Sequence, residues 1–199
     1  MFYQYRQMTP EERAQVVQQR RERGFPLHAP PHPFRHAGNY FITVVNYEHK
    51  PIMAEPARRS EIEARLLDEL RPFEVDVNAW VVLPNHYHTL VSVKHLDLLS
   101  AALKQIHGAT ARAWNLQDGL TNQRRVWYKF RDRMIRDEAH FYHALNYIHI
   151  NPVKHGYVQD PYEWPWTSLE NYRMTWGRDW LNEKWTAYPP GDFGKGWDD

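Results

Sequence analysis

The run "FEVDVNAWVVLPNHYHTLVSV", residues 73–93, limits the possible folds more than any other stretch of this chain. Phe73, Val75, Val77, Ala79, Val81 and Leu83 fall on one side of a period-two pattern, opposite Glu74, Asp76 and Asn78, as in a half-buried strand. Pro84 and Asn85 suit the two central places of a tight turn, because proline presets φ at the first and asparagine tolerates a positive φ at the second. The chain is therefore predicted to return as an antiparallel strand beginning at His86. That strand carries His86 and His88 at i and i+2, two imidazoles on one face where packing favours apolar side chains.

The flanking segments supply the remaining elements. "NYFITVVNY" (39–47) is a strand by its β-branched and aromatic content, and "SEIEARLLDEL" (60–70) places Ile62, Leu66, Leu67 and Leu70 at helical spacing. "LDLLSAALKQIHGATARAWNLQ" (96–117) reads as a helix, "VWYKFRDRMI" (126–135) as a short strand, and "DEAHFYHALNYIHIN" (137–151) as a helix with Asp137 as N-cap. The order β-α-β-β-α-β-α predicts an α+β fold, a ferredoxin-like antiparallel sheet with an additional helix after it. At the start, "TPEERAQVVQQRRERG" has the signals of a capped helix from Thr9 to Gly24, and the proline-rich "FPLHAPPHPFRHAGN" reads as an extended linker. The expected divisions are an N-terminal helical extension and linker over 1–37, a main domain over 38–172 and an aromatic tail over 173–199.

Composition narrows the function classes. With 42% hydrophobic and 25% charged residues the chain is globular, and no apolar run approaches the ~18 residues that would mark a membrane span. The N-terminus has no secretory pattern, and the absence of cysteine leaves no disulfide framework or thiolate metal site. A soluble, cytoplasmic protein without a membrane partner is expected. The net charge of +1 conceals a basic middle: Lys104, Arg112, Arg124, Arg125, Lys129, Arg131, Arg133 and Arg136 stand against Asp118 and Asp132. Such a segment attracts a phosphate backbone, although a surface whose charges balance in three dimensions would read the same way.

Two groups of side chains carry possible chemistry. His86 and His88 offer two ring nitrogens to one cation, but in a chain with 12 histidines the spacing also arises by chance. On the final helix His140, His143, Tyr147 and Asn151 form a polar stripe beside apolar Phe141, Leu145 and Ile148. The stripe reads either as a nucleophile and a ligand presented together or as a solvated face whose tyrosine caps a core edge. Pro152 biases Asn151 away from helical geometry. Imidazole with amide oxygen suits a divalent ion of the magnesium or manganese kind. A tyrosine beside it has a task, attack on a phosphodiester to form a covalent phosphotyrosine.

Taken together, "AWVVLPNHYHTLV" and "VWYKFRDRMIRDEAHFYHALNYIHINPVKHGYV" closely resemble the REP-associated tyrosine transposases, relatives of the single-tyrosine transposases within the HUH class of single-strand endonucleases. "YEWPWTS" (162–168) is similar to the segment that follows in that family. The resemblance covers residues 38 to 172. It implies a metal-dependent endonuclease and strand transferase that cuts and rejoins single-stranded DNA beside hairpins, in the prokaryotic cytoplasm at the nucleoid, as a monomer or homodimer. By that resemblance His86 and His88 match the metal pair, Asn151 the third metal ligand and Tyr147 the catalytic tyrosine. Arg131, Arg133, Arg136 and Lys154 are expected at the DNA. Tyr87, between the histidines, departs from the smaller or aliphatic residue usual there. Two other readings are a hairpin-binding protein without catalysis and an unrelated metal hydrolase.

Overall fold

The predicted hairpin forms, and a four-stranded sheet is built around it. In a computed structural model, which describes Thr9, Glu11, Glu12, Gln15, Gln18 and residues 37–120 and 124–194, β1 (Gly38–Val45), β2 (Val75–Val82), β3 (His86–Val93) and β4 (Arg131–Met134) lie in the order β2-β3-β1-β4. Every neighbouring pair is antiparallel. Helix α1 (Pro56–Glu69) joins β1 to β2 and α2 (Leu96–Gln117) joins β3 to β4, which completes the ferredoxin-like pattern. Helices α3 (Glu138–Lys154) and α4 (Leu169–Ala187) follow.

Strand alternation divides the apolar residues between two cores. Tyr40, Ile42 and Val44 of β1 and Tyr87 and Val91 of β3 pack with Ile62 and Leu66 of α1 and Leu99, Leu103 and Ile106 of α2. Phe41, Leu90 and Val81 look the other way and pack with Ala144, Leu145, Tyr147 and Ile148 of α3. Each fully buried Leu or Ile here contributes roughly 2 kcal/mol, so Leu145 and Ile148, with Ala144 and Tyr147, help to seat α3 on the sheet.

The single-sided reading of 73–83 is overturned at Asn78. Pairing shifts from Val77↔Val91 to Ala79↔Leu90, a bulge that sets two residues of β2 against one of β3. Val75 and Val77 consequently face the first core, whereas Ala79, Val81 and Leu83 face the second. Phe73 is not in the strand at all but in a 3-10 turn, Arg71–Phe73. The far edge of β2 is covered by the "EWPWTS" segment: Val82 N donates to Trp166 O (2.9 Å) and Ser168 N to Trp80 O (3.0 Å). Covering an edge in this way removes a template for unwanted strand pairing.

Further expectations change in detail. Pro84 and Asn85 do form the turn, closed by Leu83 N donating to His86 O at 2.8 Å, but Asn85 does not have a positive φ. Pro152 sits inside α3, which runs on to Lys154 and keeps Asn151 helical. At the helix end one lost N–H costs little, and His155 N and Tyr157 N donate to Asn151 O and Pro152 O to close it. The strand expected over 126–135 is regular only over Arg131–Met134. Asp137 caps α3 as predicted, its carboxylate accepting from His140 N at 2.7 Å. Helix α1 starts before Ser60 because Pro56 occupies N1, and α4 runs across the expected start of the tail at 173, with a break at Gly177 (φ 82°).

Two compact units divide after Arg35. In the first, Thr9 Oγ1 accepts from Glu12 N (3.3 Å) and Glu12 Oε2 accepts from Thr9 N (2.8 Å), a reciprocal capping box. Gly24 and the proline-rich linker lie outside the described residues. Among the described residues no helix is long and apolar enough to cross a membrane.

Candidate active site

Strand β3 turns both imidazoles to the side of the sheet on which α3 lies. His86 and His88 rings are 4.9 Å apart, and both side chains are buried. In each ring it is Nδ1 that is held. His86 Nδ1 donates to Asn85 Oδ1 at 2.7 Å, and His88 Nδ1 lies 3.0 Å from Oγ1 of Thr43, its cross-strand partner on β1. At His86 the amide oxygen at Nδ1 fixes the tautomer and leaves Nε2 as the coordinating nitrogen, and at His88 the Thr43 hydroxyl can accept from Nδ1 to the same effect. Asn85 was expected only to turn the chain, and Thr43 was not singled out; the β1–β3 register that supplies Thr43 has no local sequence signal.

Helix α3 lies along this pair. The Tyr147 ring is 5.4 Å from that of His88, and His155, just past the helix, is 5.0 Å from His86. Asn151 is four residues from each, so it shares their face of the helix and lies between them. It is wholly buried, and neither Oδ1 nor Nδ2 has a hydrogen-bond partner among the described residues. An orphaned buried amide is costly, and a cation held by Oδ1 would relieve it. Two imidazoles with prepared Nε2 atoms and one amide oxygen therefore fit a divalent ion that keeps part of its water shell. Among the described residues no third His, Cys, Asp or Glu joins them, which argues against a closed structural zinc site.

Lys154 was expected at the DNA backbone. Its Nζ donates to the Tyr147 phenol oxygen at 2.9 Å, seven residues along the same helix face. Phe41 packs against both the His88 and Tyr147 rings. The C-terminal segment then covers the tyrosine: Phe193 lies 5.4 Å from its ring. A Cβ at Gly194 (φ +79°) would collide with the phenol. The polar residues at the start of the stripe seat this segment, since His143 Nδ1 donates to Pro189 O (2.8 Å) and His140 packs against Phe193. Tyr147 is consequently only 1% exposed.

The arginines divide. Arg131 pairs with Thr43, which also pairs with His88, so Arg131 shares the face of the histidines about 10 Å away, two strand spacings. Arg133 pairs with Phe41 on the same face. Its guanidinium is shifted below the usual range by burial and by neighbouring Arg136. Arg136 instead lines an open cavity of about 320 Å³ at the start of α3, with Asn39, Asp137 and Phe141.

No protein-family model matches the chain. It is 32% identical over 117 residues to the REP-associated tyrosine transposase of Escherichia coli (strain K12), an alignment that covers 55% of this chain and 66% of that protein, just under two thirds. A relative in Haemophilus influenzae, described by the same family name, is 28% identical over 160 residues, 72% of this chain and 90% of the other. The fold is similar to that of a REP-associated tyrosine transposase solved bound to a REP hairpin, with a TM-score of 0.59 and 23% identity over 74% of this chain and 86% of that one.

Proposed function

We propose that the chain belongs to the REP-associated tyrosine transposases, to which it is similar over most of its main domain, and that it is a metal-dependent endonuclease and strand transferase acting on single-stranded DNA at REP-like hairpins. Catalysis is assigned to residues 38–172, acting on the cytoplasmic nucleoid. The observation that carries the reading is the Tyr147 phenol, set between the His88 ring and the Lys154 ammonium.

In this mechanism the Tyr147 oxygen attacks the scissile phosphorus. The bond from phosphorus to the 3′ oxygen breaks as the bond to tyrosine forms, leaving a 5′-phosphotyrosine and a 3′-hydroxyl. The phenol loses one proton to solvent and the departing 3′ oxygen gains one. Attack by a 3′-hydroxyl reverses the exchange and seals or transfers the strand. Lys154 directs the phenol oxygen and balances its negative charge in both directions. A magnesium or manganese ion, held by His86, His88 and Asn151, would neutralise charge on the scissile phosphate. Arg131 and Arg133, on the same sheet face, hold the DNA backbone, with Arg136 beside them. Since tyrosine and histidines of one chain already meet, a monomer suffices.

The test is a labelled single strand carrying a hairpin, incubated with manganese and the protein. Wild type should form a covalent adduct and Tyr147→Phe none; equal adducts from both would remove Tyr147 as nucleophile. One observation favours a second reading, hairpin binding without catalysis: the burial of Tyr147 under Phe193 and Gly194. It predicts tight binding and no adduct even when that segment is removed.

A further inference from the structure

At the His86 end of the sheet, β1 leaves the ladder through the 3-10 turn Tyr47–His49. Glu48 (φ 57°) and His49 (φ 53°) are both left-handed there, a conformation that a Cβ disfavours. Two consecutive residues keep it because the turn is tied on several sides. Tyr47 N donates to Val126 O at 2.8 Å, His49 N to Asn46 O at 3.0 Å, and Asn85 Nδ2 to His49 O at 3.4 Å. Asn85 is also the residue whose Oδ1 holds His86, so the turn is fixed in register with the metal histidines. Backbone strain maintained in this way is a reason to look for a function.

The turn sets Tyr47 beside Tyr128, with ring centroids 4.9 Å apart. Trp127 turns inward to stack on His107, and Tyr128, next in an extended segment, donates its N–H to Val45 O and turns outward. Both tyrosines are half-buried. The exposed Arg125 guanidinium lies 5.2 Å from the Tyr47 ring centroid and 5.5 Å from that of Tyr128, fastened by Nε donating to Trp127 O at 3.0 Å. Among the described residues no carboxylate pairs with it, whereas neighbouring Arg124 is paired with Asp118. Lys129 and Arg131 continue the positive charge toward the catalytic face.

Two aromatic rings under an unneutralised guanidinium form the combination that takes an unpaired base on a π-face and its phosphate on a cation. We infer that Tyr47, Tyr128 and Arg125 form a binding site for one unpaired nucleotide of the DNA strand beside the hairpin stem, the base stacking on the tyrosines and Arg125 meeting the phosphate. Asn85 holds this site in fixed register with His86, so it selects which phosphodiester reaches Tyr147. The inference rests on the proposed action on single-stranded DNA.

The experiment measures binding with EDTA present and in a Tyr147→Phe background, so that it does not depend on cleavage. The probe is a hairpin from an inverted repeat flanking the gene, with single-stranded tails carrying 2-aminopurine at one unpaired position at a time. One position is expected to be quenched by stacking, and Tyr47→Leu or Tyr128→Leu to abolish the quench. The leucine variants should weaken binding of the tailed hairpin roughly 10- to 100-fold and leave the blunt hairpin unchanged. Arg125→Gln should lower the salt dependence by about one counterion, and Tyr128→Phe should retain the quench. Absence of quenching at every position overturns the inference. So does an equal loss for tailed and blunt hairpins, which would make the tyrosines structural. Protein that binds and quenches but forms no adduct with manganese supports this site and removes the proposed catalysis.

Discussion

Mild acid is expected to destabilise this protein through histidines that burial holds neutral, His149 of α3 and His107 at the edge of the first core, and the second can be isolated. His107 of α2 is stacked on Trp127 (4.8 Å), and its Nε2 accepts from the Tyr87 phenol at 2.7 Å. Burial lowers the imidazole from its ordinary 6.5 to about 3 and pushes the Tyr87 phenol well above its ordinary value, so that it stays a donor. In the unfolded chain the same imidazole takes up a proton below 6.5. A folded-state value depressed in this way gives stability that is complete above the unfolded value and is lost as pH falls toward about 3. From pH 7.5 to pH 5 the loss from this one group is about 2 kcal/mol. That figure depends almost wholly on the unfolded value, because the folded one lies far below pH 5. Against a total stability of about 5–15 kcal/mol the effect is large.

The assay is urea unfolding at pH 7.5 and pH 5, followed by tryptophan fluorescence. The comparison is the double variant Tyr87→Phe/His107→Phe, which removes both hydrogen-bonding partners and keeps both rings, so that neither polar group is left unsatisfied. The parent should lose about 2 kcal/mol more than the variant over this interval. Equal losses would show that His107 does not enter the folded state as a buried neutral base.

Three other outcomes are expected. Lys154→Met should slow adduct formation by about 10²–10³, as loss of a donor at a developing charge does, with hairpin affinity and its salt dependence kept; a fall in affinity at unchanged rate per bound complex would return Lys154 to the DNA backbone. Asn85→Ala releases His86 Nδ1 and should weaken manganese binding about 10- to 100-fold, read by titration under electron paramagnetic resonance. Gly194→Ala forces the C-terminal segment away from Tyr147 and should raise the single-turnover adduct rate several-fold; an unchanged rate would mean that this segment does not limit access.

The features legible in the sequence were those set by near neighbours. The Pro84-Asn85 turn, the Asp137 cap and the span of α2 follow from local spacing and end signals, and all three appear in the structure. The facing of His86 and His88 also followed, because strand alternation alone decides it. Thr43 beside His88, and Phe193 over Tyr147, depend on strand register and on the return of a distant segment, neither of which leaves a local mark. Lys154 was visible as a charge, yet only the continuation of α3 through Pro152 sets it two turns beyond Tyr147 on the same face. The bulge at Asn78 was concealed because Val75, Val77, Ala79 and Val81 keep perfect alternation in sequence across a point where the backbone changes side.

That bulge makes parity a property of the chain. The first half of β2 is tied to one core and the second half, through the hairpin, to the histidine side, and the one residue more than regular pairing allows is taken up at Asn78. Deleting Asn78 would set Val77 and Ala79 next to each other opposite Val91 and Leu90, a regular pairing in which both halves keep their sides. A change of one residue elsewhere along this hairpin shifts odd and even positions, however mild the residue, whereas at Asn78 removal of one only abolishes the bulge. In this stretch the count between residues carries as much information as their identity.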